Sequence, residues 1–294
     1  MTFSSRALLL DTTARFGQGR RLDPARALAS RPGMSFVQTR AGRMRMRHQP
    51  CAGAPRIVCA SDGPNTIEHY DALFAALEGR ADLRVFDPPG TGGSAPHARF
   101  DFSLRAFADA TIDLLEASSA GVLVAPCYFG FVGVRVASER PDLVRRLVLP
   151  QTPSWSSFDA WAERVDRRRL VRTPFVGQLL LAARRRSVAA SWYRASAAAA
   201  HRAPFTARAH EALAFGGCFA LASLMQAMSH EQPAPPGALP PLTVLWGTQD
   251  RSHRGSAPYG DTKHPVITFA DRGHSPELEA PAHFAEWVLT EPAA

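Results

Sequence analysis

The chain has 294 residues, 46% hydrophobic and 20% charged, enough apolar sequence for one large core or two ordinary ones, which excludes a disordered or collagen-like chain. Its 21 glycines and 24 prolines follow no period, so repeat arrays drop out, and no run approaches the ~20 apolar residues of a membrane helix. The net charge of +8 invites a nucleic-acid reading, but no recognised nucleic-acid module surrounds the arginines.

The apolar run 7–10 is shorter than the ~7–15 residues of a signal segment, so no secretory leader is expected. Cys51, Cys59, Cys127 and Cys218 stand apart with no C-x-x-C pair, which predicts reduced thiols, a cytoplasmic location, and neither metal nor cofactor. The charge is local: between residues 153 and 240 eleven arginines face five acidic residues, a net of about +6.

In chain order, residues 1–34 carry only a weak helical pattern and are assigned to an N-terminal extension. Residues 35–39 and 43–47, flanking Ala41-Gly42, alternate as a hairpin with Met44 and Met46 inward and arginines outward. The apolar run 56–60, the helical stretch 67–77 and the run 83–86 read as strand, helix, strand. Residues 103–118 place Leu104, Phe107, Ala108, Thr111, Leu114 and Leu115 on one helical face. They lead into 121–125, which has the continuous apolarity of a strand covered on both sides. A helix over 132–139, a strand at 146–149, strands at 242–246 and 266–269, and a closing helix over 276–289 complete the rhythm. Residues 153–240 interrupt it with Ala-, Arg- and Trp-rich helical sequence and return through the Pro-rich run 233–240. The predicted fold is α/β: a mostly parallel sheet with helices on both faces, built from 35–152 and 241–294, with 153–240 as an inserted helical cap.

Reactive groups of a parallel α/β sheet collect at the carboxyl ends of its strands. Four such ends are eventful here: Asp87-Pro-Pro-Gly-Thr-Gly-Gly-Ser94, Ala125-Pro-Cys-Tyr-Phe-Gly130, Gly247-Thr-Gln-Asp250, and Asp271-Arg-Gly-His274. A nucleophile, an acid and a histidine therefore follow in the order Cys127, Asp250, His274. Gly90, Gly92 and Gly93 are not followed by the Lys-Ser/Thr of a phosphate loop, and Asp87 is read as bracing its own loop.

With Val136-Ala-Ser-Glu-Arg-Pro141 and Gly273-His-Ser-Pro-Glu-Leu-Glu-Ala-Pro281 added, these segments resemble the α/β-hydrolase family over roughly residues 35–150 and 240–290. That family sets its nucleophile on a sharp strand-to-helix turn of pattern G-x-S-x-G and supplies nucleophile, acid and histidine in this order. The resemblance implies a Cys127-His274-Asp250 triad working through an acyl-enzyme on an ester or thioester. It also implies oxyanion donors at the Tyr128 amide and in the loop after the first parallel strand. Pro64 has no N–H, so Gly63 is the expected donor, with Asn65 as the alternative.

The sequence departs from the family at three places. Cysteine replaces serine, as in dienelactone-hydrolase-like enzymes and polyester synthases; Phe129 stands where a small residue is usual; and Ser61-Asp-Gly-Pro-Asn65 lacks the family's histidine. A benzyl group at 129 must redirect the helix or project into the pocket.

Phe129, Asn65, Phe175 and Phe215 are expected to line the substrate site, and the arginine clusters 167–169 and 184–186 to dock an anionic partner. The expected partners are a small-molecule acyl ester or thioester, with coenzyme A or an acidic acyl carrier protein presenting a hydrophobic chain; neither nucleic acid nor membrane is expected. Acyl transfer through the same acyl-enzyme, and a non-catalytic ligand-binding homologue, are the alternatives. Asp261 and Asp271 compete with Asp250 as the acid, while His97, His253, His264 and His283 are read as surface residues.

Overall fold

The computed structural model describes residues 28–97, 99–117, 121–212, 218–233, 236–260 and 263–290, with backbone alone at 211, 212, 218 and 219. The greater part of the predicted N-terminal extension lies outside these residues. The strands are β1 (Met34–Thr39), β2 (Gly42–Gln49), β3 (Arg56–Ala60), β4 (Asp82–Phe86), β5 (Ala95–Pro96), β6 (Gly121–Val124), β7 (Val144–Pro150), β8 (Leu242–Gly247) and β9 (Val266–Phe269). They form one sheet in the order β1-β2-β4-β3-β6-β7-β8-β9, with β5 on β2. The β1–β2 hairpin pairs Thr39 with Gly42 at its tip and joins β4 antiparallel, and every pairing from β4 to β9 is parallel.

Alternation along the central strands divides their side chains between two cores. Val58 and Ala60, Leu123, Leu147 and Leu149, and Val244 point into one; Ile57 and Cys59, Val124, Val148 and Leu245 point into the other. Against the first pack α2 (Leu104–Glu116) and α3 (Tyr128–Glu139). Against the second pack the 3-10 turn Ile67–Tyr70, α1 (Asp71–Ala76) and α9 (Pro281–Thr290). The short apolar runs of the sequence are thus strands buried on both faces.

Helix α2 starts where Ser103 accepts a hydrogen bond from the Ala106 amide at 3.0 Å, and its buried face contains all six residues expected. Helix α3 lies so close to the sheet that a Cβ on Gly133 would fall 2.8 Å from Cβ of Ala125 and 3.0 Å from Cδ1 of Leu147. Gly133→Ala should therefore overpack this contact and lower stability by about 1–3 kcal/mol in a denaturant titration; an unchanged midpoint would show that α3 can shift away.

Between β7 and β8 the chain forms α4 (Trp155–Val165), α5 (Val176–Ser196), α6 (Arg202–Ala212) and α7 (Cys218–Met228), and after β9 come α8 (Pro276–Glu279) and α9. No helix among the described residues is long and apolar enough to cross a membrane.

Two local expectations are corrected. The closing helix is broken at Ala280 (φ −137°, ψ 57°), because Pro281 disfavours helical backbone in the residue before it. Arg45 does not face water. The sheet is covered on its second face too, and Arg45 is buried there, donating from Nε to Asp87 at 2.7 Å and from a terminal nitrogen to Glu68 at 2.8 Å. Burial opposes charge on Glu68, yet Arg45 and Thr66 hold its carboxyl down at about 2.

Candidate active site

Cys127 ends the strand-to-helix turn of β6 and α3 and is the N-cap of α3, with φ 49° and ψ −119°. Such a conformation is strained for a residue with a Cβ and persists only where the surroundings over-determine it. They do so here. The Cys127 amide donates to the Pro150 carbonyl at 2.9 Å, and a Cβ on Gly130 would fall 2.2 Å from Oγ1 of Thr152. The tight position of the turn is thus Gly130, one residue later than the family pattern requires. With the tight approach at Gly130, Phe129 is accommodated inside α3, which starts at Tyr128, and its ring packs edge-on to Phe107 at 5.3 Å.

The acid and the histidine meet because two loops touch. A Cβ on Gly247 would fall 1.8 Å from the carbonyl oxygen of Gly273, and the Gln249 amide donates to the Arg272 carbonyl at 2.7 Å. Nδ1 of His274 consequently reaches Oδ2 of Asp250 at 2.7 Å, while Oδ1 accepts from the Ser252 amide at 2.8 Å and its hydroxyl at 2.5 Å. Of the rival acids, Asp271 is exposed and Asp261 lies outside the described residues.

Sγ of Cys127 and a ring nitrogen of His274 lie within 4.8 Å of each other, both residues being buried. Burial and the Asp62 carboxylate push the Cys127 thiol up to about 11, against the opposite pull of His274 and the Tyr128 amide. Burial works against charge on His274, but Cys127, Asp250 and Asp62 outweigh it and hold the imidazole well above its ordinary range. Asp250 stays below the usual carboxylate range despite its own burial, chiefly through His274.

No protein-family model matches the chain. A stretch of 112 residues is 33% identical to "Putative carbamate hydrolase RutD" of Pseudomonas savastanoi pv. phaseolicola, covering 36% of this chain and 41% of that protein. The match thus spans about two fifths of the length of that relative. Among solved structures, epoxide hydrolase A of Mycobacterium thermoresistibile superposes with a TM-score of 0.69 at 17% identity, over 88% of this chain and 97% of that one. The enol-lactonase of Burkholderia xenovorans superposes with a TM-score of 0.65 at 18% identity, over 87% of this chain and 100% of that one. The chain has the α/β-hydrolase fold.

In this α/β-hydrolase fold the helical segment between β7 and β8 and the strand ends together enclose a cavity of about 580 Å³. Asp62, Gly63, Pro64, Cys127 and Tyr128 line it from the sheet side. Phe158, Trp161, Leu180, Leu181, Trp192 and Met225 line it from the helices, and Arg164, Arg184 and Arg251 add positive charge. Gly63 and Tyr128 therefore share a cavity with the sulfur. Phe129 lines a smaller cavity with Asp62, Gly63, Pro64 and Asn65.

Asn65 and Phe175, expected to line the substrate site, do not border the cavity that holds the sulfur. Asn65 borders only the smaller cavity among those described and has its polar atoms engaged: its amide donates to the Asp62 carbonyl, Nδ2 to Oγ of Ser275, and Oδ1 accepts from the Tyr193 hydroxyl at 2.8 Å. It braces the loop. Phe175 is the N-cap of α5, with φ 73°, off the helical path of the residues that follow, and it is 42% exposed. Phe215 lies outside the described residues.

Two residues that the sequence did not signal stand beside the sulfur and the imidazole. His253, expected at the surface, is buried, with Nε2 4.0 Å from Sγ of Cys127 and its ring stacked between Trp161 (5.2 Å) and His274 (5.4 Å). Burial, then His274, pushes it down to about 3, so it stays neutral. Asp62 places Oδ2 3.7 Å from Nε2 of His274. The only sequence signal for either was position: Asp62 sits in the loop searched for oxyanion donors, and His253 follows Asp250 by three residues.

Proposed function

We propose that this chain is a hydrolase that cleaves an ester or thioester by nucleophilic attack of Cys127, with a hydrophobic acyl chain in the cavity and an anionic carrier or coenzyme A portion at Arg164, Arg184 and Arg251. One observation carries the reading: a cysteine on a strained strand-to-helix turn shares a buried site with an imidazole whose far nitrogen is held by Asp250 at 2.7 Å. Two of the three relatives named above, a carbamate hydrolase and an enol-lactonase, support acyl chemistry by name, while the third is an epoxide hydrolase.

In the proposed reaction Cys127 gives its proton to His274, whose imidazolium is favoured by the thiolate it then faces and by Asp250, and Sγ bonds to the acyl carbon. The carbonyl electron pair becomes an oxyanion facing the amides of Tyr128 and Gly63, where each donor contributes roughly 3–4 kcal/mol. Collapse breaks the C–O or C–S bond, and the leaving group takes the proton from His274. Water, deprotonated by the same imidazole, then releases the acid and restores the thiol. Asp250 holds the imidazole with Nδ1–H outward and stabilises its positive charge throughout. A thiol nucleophile suits thioesters because exchange between two sulfurs is nearly isoenergetic.

Intact-mass analysis tests this. The protein is incubated with p-nitrophenyl esters and coenzyme A thioesters of the same acyl chains. A single acyl adduct is expected, absent in Cys127→Ala, and forming faster from the thioester by a margin that fades as salt screens the arginines. No adduct with any chain length would overturn the reading, and an adduct persisting in Cys127→Ala would overturn the assignment of the nucleophile.

A further inference from the structure

The triad accounts for Cys127, His274 and Asp250 but leaves His253 without a task, and a second buried imidazole aimed at the same sulfur calls for one. Sγ of Cys127 and one ring nitrogen from each of His253 and His274 all lie within 4.8 Å of one another. On each histidine the outer nitrogen is engaged: Nδ1 of His274 by Asp250 at 2.7 Å, Nδ1 of His253 by Oγ of Ser256 at 3.4 Å. Both Nε2 atoms are thereby left for the interior. Nε2 of His274 is buried with no hydrogen-bond partner among the described residues, and Oδ2 of Asp62 stands 3.7 Å from it.

Imidazoles fixed through Nδ1 by a carboxylate or hydroxyl, presenting Nε2 beside a thiolate, are the arrangement by which proteins hold zinc-like cations. Bonds of ~2.0–2.3 Å to such an ion imply donor separations of about 3.5 Å. The 4.0 Å between Sγ and Nε2 of His253 is therefore half an ångström from closure. We propose that Cys127, His253 and His274 form a binding site for a borderline-soft divalent cation of the zinc type, with Asp62 beside the fourth position. On binding, the Cys127 thiol and any imidazolium on His274 release their protons to solvent as the S–metal and N–metal bonds form; no electron moves. One thiolate and one carboxylate neutralise the dication, which suits a buried site. The signal was invisible in the sequence because the donors come from three loops, at 127, 253 and 274, and share no short motif. The ion occupies the sulfur that the acyl-enzyme needs, so the loaded protein is acylation-incompetent.

The site does not depend on the catalytic reading, and its test is spectroscopic. The full-length protein is titrated with Co²⁺ alone, recording the thiolate-to-cobalt charge-transfer absorption and proton release, then with Zn²⁺ in competition. Saturation at one equivalent is expected, with the charge-transfer band lost in Cys127→Ser and retained in Cys51→Ser. His253→Ala and the milder His253→Gln should each weaken binding ~100-fold, with circular dichroism reporting that both remain folded, and Asp250→Asn should weaken it ~10–100-fold. Absence of the band, or an affinity equal to the parent's in both His253 variants, would overturn the proposal. Adduct formation blocked by one equivalent of Zn²⁺ and restored by a chelator would support both readings; a cobalt band without any adduct would leave the metal site standing while the acyl-enzyme fails.

Discussion

Replacing His274 by alanine is expected to slow acylation of Cys127 by at least ~10³-fold, read as the single-turnover burst of p-nitrophenolate. The sulfur is buried and its thiol is pushed up to about 11 even with the lowering influence of His274, so removing the imidazole raises it further and leaves still less thiolate at neutral pH. A thiol in that condition depends on the imidazole to take its proton during attack. Asp250→Asn is expected to cost ~10²–10⁴-fold, because Nδ1 loses the carboxylate that fixes the tautomer. The geometry also says what the contrary result would mean. If His274→Ala acylates at the parent rate, the proton goes instead to His253, whose Nε2 stands 4.0 Å from the sulfur, and the assignment of the base is wrong.

The second large effect concerns stability. Glu277 is fully buried in α8, and neither carboxyl oxygen has a hydrogen-bond partner on another residue. Burial raises its carboxyl from 4.5 to about 8 against the lowering influence of its own amide and His274. Below the ordinary carboxylate range the folded and unfolded chains both hold this proton and the residue contributes nothing to pH dependence. Between 4.5 and about 8 the unfolded chain releases the proton while the folded one keeps it, so stability falls as pH rises. Above about 8 the cost is complete, about 3–5 kcal/mol at 1.36 kcal/mol per unit. Glu277→Gln keeps the shape and cannot ionise. Its melting temperature should match the parent near pH 4.5 and exceed it by roughly 5–10 °C at pH 9. A gain independent of pH would show that the carboxyl is not the titrating group.

How much of this was legible beforehand differs between the scaffold and the site. Runs such as 56–60 and 121–125 are apolar on successive residues, as a strand covered on both faces requires, and their alternation with helices predicted a mostly parallel sheet, though not its strand order. Cys127, Asp250 and His274 were legible for the same reason, since each immediately follows a strand and strand ends converge in a parallel sheet. His253 was not legible, because its direction depends on how the turn after Asp250 folds over Trp161, and no local pattern encodes that stacking. Phe175 failed in the opposite sense: it is apolar and adjacent to a helix, yet the positive φ that sets it off the path of α5 was not readable from the sequence.

The sequence by itself determined the layered α/β architecture and the chain order of sulfur, carboxylate and imidazole, because periodicity and turn chemistry act between near neighbours. Only the tertiary structure decided that Gly130 rather than residue 129 supplies the tight approach, that Arg45 is buried against Asp87 and Glu68, and that His253 and Asp62 crowd the sulfur and the imidazole. Those outcomes depend on which segments touch in the folded chain, and contacts between residues from tens to more than a hundred positions apart leave no mark on the local pattern of either segment.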